Sequence, residues 1–163
     1  MDSKVKYGQE HGKILIKIAK KILNNQDLCK LLVNTNLDPL NNKDEINGMR
    51  LLNKNVRVVP LLGRDEQLSD TKLVLLYTDG ELSESNSDNE VMTFIVSIYC
   101  PFQQWLITGE DLRPYKIMSE VRKSLQDKRL NGLGEIKYIG FNFSTLTEEM
   151  GNFVMEFRIY AFS

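Results

Sequence analysis

The sequence is poor in the residue types that most often carry chemistry. Its 163 residues include one histidine, His11, two cysteines, Cys29 and Cys100, and one tryptophan, Trp105. A single histidine without clustered ligands or a nucleophile motif does not predict a catalytic triad or a metal site. Two cysteines in a chain of this length do not form a disulfide framework, so both are expected to be small buried residues in a reducing compartment.

Long apolar runs and nucleotide-binding motifs are also missing. No stretch of about 18 apolar residues occurs, so no transmembrane helix is expected, and lysines interrupt the N-terminal apolar run, so no secretory signal is expected. The sequence contains no phosphate-binding loop, no zinc spacing and no dinucleotide fingerprint. Neighbouring acids such as Glu148 and Glu149 lie in predicted loops, where nothing holds them around a substrate. We therefore predict a non-catalytic protein without a cofactor or a metal ion.

The composition predicts one folded domain spanning residues 1–163, with no strong electrostatic field of its own. Hydrophobic residues make up 42% and charged residues 26% of the chain, as in average globular domains. The formal net charge is −1, so no global attraction draws the chain to nucleic acid or to a membrane. The lysines between Gly12 and Leu23 are not interleaved with arginine or aromatic residues, so neither nucleic acid nor a membrane is expected as a specific partner.

Charge is unevenly distributed along the chain. Residues 1–30 carry a net charge of +4, and residues 61–90 carry a net charge of −6. Opposite charges on one small domain suit head-to-tail contacts between copies. The same charge distribution also fits a monomer with two solvated charged faces. The candidate interface residues are three lysines on one side of the first predicted helix and three acids in segment 79–90, namely Lys13, Lys17, Lys20, Glu81, Glu84 and Asp88.

Hydrophobic periodicity predicts an amphipathic helix near each end of the chain. The polar segment 1–11 is expected to be a loose arm. An apolar stripe at helical spacing predicts a helix over Gly12–Leu23, and Asp27 is placed to cap a second helical piece, Leu28–Val33. The later helix is expected over Pro114–Lys128, because proline suits the first turn and an apolar stripe follows it.

Apolar runs predict four or five strands, at 55–61, 72–77, 91–100, 134–143 and 152–162. In the last strand, alternate residues share one face that is expected to pack on the later helix: Phe153, Met155, Phe157, Ile159 and Ala161. The predicted fold class is α+β, with a mainly antiparallel four- to five-stranded sheet and two amphipathic helices packed on one face.

The loop PFQQWLITG at 101–109 contains the best candidates for recognition residues. Phe102 and Trp105 both lie in it, and exposed aromatic residues in loops are frequent hot spots of protein interfaces. Aromatic residues that fold back over the core produce the same pattern, so both interpretations remain open. The sequence therefore predicts Phe102 and Trp105 as candidate protein-interface residues.

The second half of the chain resembles the phage tail-terminator and neck proteins. In that group a strand that ends in a loop is followed by a D-x-R-P-x-x-I helix entry and then by a terminal hairpin. The matching residues are Asp111, Arg113, Pro114 and Ile117, followed by the hairpin 134–162. The resemblance covers residues 91–163, and residues 12–77 agree in the order of their elements. The acidic segment 79–90 and the loop 101–112 depart from a compact version of this pattern.

The resemblance implies a structural protein of the virion. Its copies would form a ring, expected to be six-fold, that terminates the phage tail tube and joins it to the head–neck connector. The implied partners are the chain itself, the tail tube protein and the neck connector proteins, and the implied location is the tail or neck of the virion after assembly in the host cytoplasm. The alternative from another class is a small-ligand-binding or enzymatic cytoplasmic α+β domain, which needs a concave pocket with converging polar groups.

Overall fold

The computed structural model of the protein describes residues 3–59, 70–82, 89–130, 133–145 and 149–162. Two helices come first, and an irregular connection with two short 3₁₀ turns follows them. The strands come next, and a third helix lies between the fifth and the sixth strand along the chain. The helices are α1 (Ser3–Leu23), α2 (Gln26–Val33) and α3 (Arg113–Leu125). The strands are β1 (Val56–Arg57), β2 (Lys72–Leu82), β3 (Asn89–Pro101), β4 (Leu106–Ile107), β5 (Asp111–Leu112), β6 (Leu133–Thr145) and β7 (Met150–Phe162).

Five strands form one sheet in the order β1–β2–β3–β7–β6. The long neighbours are all antiparallel, and Phe94 of β3 stands opposite Phe157 of β7 at the centre of the sheet. Strand β1 runs parallel to β2, pairing Val56 with Leu73. The predicted α+β class with a mainly antiparallel sheet is confirmed, and the parallel β1 makes this sheet mixed. Strands β4 and β5 pair with each other in a separate two-stranded sheet.

The core lies between one face of the sheet and the three helices. Alternate residues of β2, β3 and β7 belong to this core, so each strand turns one apolar row toward the helices. The predicted face of the last strand is confirmed where its side chains are described: Phe153, Met155, Phe157 and Ile159 are buried. The stripe of α3 enters the same core through Ile117, Met118, Val121 and Leu125.

Two predictions about the first helices are wrong in detail. Helix α1 begins at Ser3, so the predicted loose arm at 1–11 is helical from residue 3 onward. Lysine, glutamine and glutamate in this segment are good helix formers, and a polar composition alone does not stop a helix. The second piece begins at Gln26 and is capped by Asn25, whose Oδ1 accepts a hydrogen bond from the Leu28 amide at 3.1 Å, not by Asp27.

The connection between α2 and the sheet is irregular, but it is fixed against the helices. The side chain of Gln26 donates to the carbonyl of Ile46 at 2.7 Å and accepts from its amide at 3.0 Å. Gly48 packs against the end of α1 so closely that a Cβ there would lie 2.2 Å from the Leu23 carbonyl oxygen. The strand predicted at 55–61 is limited to Val56–Arg57, and residues 60–61 lie outside the described part.

Helix α3 is shorter at its C-terminus than the predicted Pro114–Lys128. It ends at Leu125, and Asp127 takes a left-handed conformation with φ of 60°. The Asp127 amide then donates to the Ile136 carbonyl at 2.8 Å, and the Ile136 amide donates to the Lys128 carbonyl at 2.9 Å. The chain thus leaves the helix early because its backbone bonds to the start of β6.

Phe157→Ala tests the core assignment. The Phe157 ring is fully buried and stacks on Phe94 with centroids 5.3 Å apart. Its removal should lower the free energy of unfolding by about 3–5 kcal/mol, because a cavity remains. Tyr160→Ala, on the exposed face of the same strand, is the control and should change it by about 0.5 kcal/mol or less. Chemical denaturation measures both, and equal losses would contradict the assigned faces.

Candidate functional site

An aromatic patch lies where the loop after β3, the start of α3 and the end of β6 meet. We define it as Phe102, Trp105, Tyr115, Phe141 and Phe143. The ring centroid of Trp105 is 5.2 Å from that of Phe102 and 6.1 Å from that of Phe143. The buried ring of Phe153 lies beneath, between 4.9 and 6.2 Å from four of the five rings. Tilted and edge-on contacts at these distances stabilise the cluster.

A glycine in β7 makes room for this cluster. Gly151 faces the same side of the sheet as Phe153, and a Cβ built on it would lie 2.8 Å from Trp105 Cζ2 and 3.0 Å from Phe143 Cε2. Carbon atoms that are not bonded prefer separations of about 3.5–4.0 Å. The rings therefore sit on the backbone of β7, and any larger residue at position 151 displaces them.

Arg113 holds the loop that carries Trp105. Its side chain is 1% exposed, and its guanidinium donates to four backbone carbonyls. The Nε atom donates to Gln104 at 2.8 Å, Nη1 donates to Leu31 at 2.6 Å and to Asn34 at 2.7 Å, and Nη2 donates to Asn36 at 2.8 Å. The clamp joins the loop before β4 to the C-terminal end of α2 and the residues that follow it.

The charge of Arg113 is satisfied by dipoles and not by an acid. In the described ranges no carboxylate forms an ion pair with it. Burial lowers the pKa of the guanidinium, while the carbonyls at the end of α2 carry the negative end of the helix dipole and favour a cation. The backbone amide of Arg113 also donates to the Trp105 carbonyl at 2.6 Å. The same residue therefore fixes the loop at two points.

Buried polar contacts support the loop from the sheet side. The Thr71 hydroxyl donates to Gln104 Oε1 at 3.0 Å and lies 3.5 Å from Cys100 Sγ. Trp105 Nε1 donates to the Cys100 carbonyl at 3.0 Å. Burial raises the pKa of the Cys100 thiol to about 11, so this cysteine is a protonated packing residue, not a nucleophile.

The structure distinguishes the two predicted recognition residues of the loop. Phe102 is 36% exposed, whereas Trp105 is half-buried and packs against the core. Tyr115, Phe141 and Phe143 belong to the same surface and are 44–50% exposed. Sequence reasoning missed these three because they lie in a helix and a strand that are distant along the chain. The sequence did contain one signal for two of them: Phe141 and Phe143 are alternate residues in an uncharged stretch near the end of β6.

The outer edge of β6 is open along most of its length. The backbone of residues 127–129 pairs with its start, through Asp127, Lys128 and Ile136. Beyond Ile136 no other strand in the described part of the chain pairs with this edge. Residues 138–145 carry no charge, and positions 141–145 are all exposed.

The charged candidate residues that the structure describes lie on the surface, and none of the ion pairs found among the described residues joins Lys13, Lys17 or Lys20 to Glu81. Lys13, Lys17 and Lys20 are exposed on α1. Lys17 and Lys20 line a shallow groove with Lys21 and Arg129. Glu81 is exposed near the end of β2. The other two acids, Glu84 and Asp88, lie outside the described residues.

His11 is part of a small polar contact between α1 and the sheet. Its Nε2 lies 2.9 Å from Glu90 Oε2, and its backbone carbonyl accepts a hydrogen bond from the Tyr77 hydroxyl at 2.8 Å. Burial, and secondarily the charge of Glu90, raises the pKa of Tyr77. These contacts attach α1 to strands β2 and β3.

Among the described helices, none is long and apolar enough to cross a membrane.

Arg113→Met tests the clamp. The substitution keeps much of the side-chain volume but leaves four carbonyls without their donor, so the free energy of unfolding should fall by about 2–4 kcal/mol. Arg122→Met is the control, since Arg122 is exposed and its guanidinium stacks 4.5 Å from the Tyr138 ring centroid; its loss should be about 0.5–1 kcal/mol. Urea denaturation of both variants measures the difference. An Arg113→Met variant with an unchanged free energy of unfolding would refute the clamp.

Trp105→Ala tests whether the tryptophan belongs to the core of the isolated chain. It would remove the ring at the centre of the patch and the hydrogen bond to Cys100, lowering the free energy of unfolding by at least about 2 kcal/mol. Phe102→Ala is the matched variant and should cost less, because Phe102 has fewer ring contacts. An unchanged melting temperature of the monomeric Trp105→Ala chain would show that the tryptophan contributes nothing to folding.

The chain matches the family described as YomW over residues 25–159. No curated protein matches it. The matched range contains α2, strands β1 to β6, β7 as far as Ile159, the Arg113 clamp and all five residues of the aromatic patch. Because this range covers well over half of the sequence, the chain belongs to the YomW family.

Proposed function

We propose that this protein is a non-catalytic structural subunit of a phage particle. In this proposal its copies assemble into a ring that terminates the tail tube and joins it to the head–neck connector. The ring, its expected six-fold symmetry and its location in the tail or neck follow from the resemblance carried by Asp111, Arg113, Pro114 and Ile117. The aromatic patch is the observation that carries the proposal of an assembly role.

The patch supports assembly because it is both apolar and held in place. Four of its rings are exposed by more than a third, and contiguous apolar surface on a protein marks contact sites for other proteins. Aromatic residues supply much of the binding energy at such sites. The Arg113 clamp and the close approach at Gly151 fix the rings before a partner arrives, which lowers the entropy lost on binding.

The residues of the D-x-R-P-x-x-I motif lie next to the aromatic patch. Arg113 is its central residue, and the loop that Arg113 holds is the loop that carries Phe102 and Trp105. Pro114 starts α3, and Tyr115 of the patch comes directly after it. The motif thus builds a fixed surface at a loop–helix junction. In the proposed ring this surface contacts a neighbouring subunit.

The unequal charge distribution supports contacts between copies. The exposed lysines of α1 have no acid paired with them in the described part of the chain, and Glu81 is exposed at the end of β2. Surfaces of opposite sign steer subunits into one orientation and raise the rate of association. Each exposed ion pair adds only about 0–1 kcal/mol, so the apolar patch supplies most of the affinity.

Tyr115→Lys tests the patch as an assembly contact. A charge placed on the rim of the patch should weaken subunit association by about tenfold or more, which corresponds to about 1.4 kcal/mol. Val33→Lys, at an exposed apolar position on α2, is the control and should leave assembly intact. Native mass spectrometry reports the oligomers, and equal assembly of both variants would remove the patch from the interface.

Charge reversal tests the second contact. Glu81→Lys should reduce assembly at low salt, and the difference from the unmodified chain should shrink as salt screens the charges. Combining it with Lys17→Glu and Lys20→Glu should restore assembly if the two surfaces meet. Assembly of Glu81→Lys that matches the unmodified chain at every salt concentration would leave both surfaces as ordinary solvated faces.

The role in the particle is tested by deleting the gene from the phage genome that encodes it. Electron microscopy of the lysate should show heads and tails that are not joined, with tubes of irregular length. Supplying the unmodified chain or Val33→Lys should restore joined particles, and Tyr115→Lys should restore fewer. Normal particles without the gene would overturn the proposed function.

A further inference from the structure

We infer that the free protein forms a two-fold dimer in which the outer edge of β6 pairs with the same edge of a second copy. The inference concerns the chain before it enters any particle, and it stands or falls independently of the proposed ring. It rests on the geometry of β6 and on the difference between the two edges of the sheet.

The edge of β6 is a template for another strand. Its first part is closed by the backbone of residues 127–129, and from Lys137 to Thr145 no strand of the described chain covers it. Nine residues of open edge exceed the length of an average strand, about five to six residues. Backbone donors and acceptors on such an edge pair readily with another extended segment.

The usual protections are confined to the start of this edge. Lys137 is the charged residue there, and Asp127 and Glu135 hold its ammonium group at 2.7 and 2.8 Å. A bulge lies between Tyr138 and Gly140. From Gly140 to Thr145 there is neither charge nor proline, although natural proteins commonly place such residues on exposed edges. The apolar side chains along this part are exposed as well, at 50% for Phe141 and 49% for Phe143.

The opposite edge of the sheet is protected. Strand β1 covers β2 at Leu73 and Val74. Beyond β1, the exposed end of β2 carries Asp79 and Glu81, and its pairing with β3 is interrupted by a bulge between Tyr77 and Asp79. Charges and bulges are the devices that prevent edge-to-edge association. A second copy that paired its β2 edge with β6 would therefore meet both the charges and the bulge at the exposed end of β2.

A second copy of β6 is the occupant that fits these features. Two uncharged edges meet without like-charge repulsion, and a two-fold axis makes the pairing antiparallel, which is the arrangement of every long strand pair in this sheet. The midpoint of the open segment is Phe141, so that ring lies near its own copy across the axis. Aromatic pairs across antiparallel strands stabilise a sheet. The result is one continuous sheet of ten strands through two subunits.

The test uses Asn142, which is exposed, pairs with Val154 of β7 and adjoins the midpoint. Near a two-fold axis, position 142 of one copy lies close to position 142 of the other. Asn142→Lys and Asn142→Glu should each be monomeric because like charges meet, and an equimolar mixture should form the mixed dimer. With the Asn142→Glu variant uniformly labelled with ¹⁵N, native mass spectrometry distinguishes the two homodimers and the mixed dimer by mass, and the unmodified chain should be a dimer.

Two controls separate this interface from other contacts. Val33→Lys, at an exposed position of α2 outside the sheet, should leave the dimer intact. Thermal unfolding monitored by circular dichroism should show that both Asn142 variants remain folded. A monomeric unmodified chain, a stable Asn142→Lys dimer, or a mixture without the mixed species would overturn the inference. A ring that forms normally from both Asn142 variants, when neither forms the dimer, would retain the proposed function without backbone pairing at the edge of β6.

Discussion

The buried guanidinium of Arg113 is the contact on which the arrangement of this surface depends. Four carbonyls from two separate parts of the chain, residues 31–36 and Gln104, converge on one side chain at 2.6–2.8 Å. A buried charge is costly unless it is fully hydrogen-bonded, and here the partners are backbone dipoles at the end of α2 and in the loop after β3. Because backbone atoms accept these bonds, the clamp fixes the path of the chain and not merely the position of a few side chains.

The aromatic patch follows from that constraint. With the loop fixed at Gln104 and Trp105, the indole ring reaches the bare backbone of Gly151, and Phe153 provides the surface beneath it. The exposed rings around Trp105 then belong to three elements that are distant in sequence. A rigid apolar surface of this kind loses little entropy when a partner covers it. This physical property connects the fold to an assembly role, independently of the identity of the partner.

Much of the fold follows from local patterns, and the exceptions have identifiable causes. The alternation in β3 and β7 and the stripe of α3 predict the core because burial on one face imposes those periods. The start of α1 was predicted too late because the polar segment before Gly12 has no apolar stripe. Its good helix formers nevertheless let the helix extend back to Ser3. The end of α3 was misplaced because its last turn is replaced by bonds between Asp127, Lys128 and Ile136, which come together only in the folded sheet.

The candidate site was less predictable for the same reason. Phe102 and Trp105 are visible as aromatic residues in a loop, but their difference in burial depends on Gly151 and Phe153, about fifty residues later. Arg113 was visible as a motif residue, whereas its partners are carbonyls, which any residue type supplies. Sequence patterns report which faces are apolar. They do not report which loop an arginine reaches or which glycine leaves room for a ring.

The single tryptophan provides the most direct measurement of the central claim, that the aromatic patch becomes covered when copies of the chain associate. Trp105 lies at the centre of the patch, and the chain has no other tryptophan. Acrylamide quenching of its fluorescence, followed with light scattering as concentration rises, should decrease in step with the growth in mass. Association that proceeds fully with unchanged quenching of Trp105 would contradict the account.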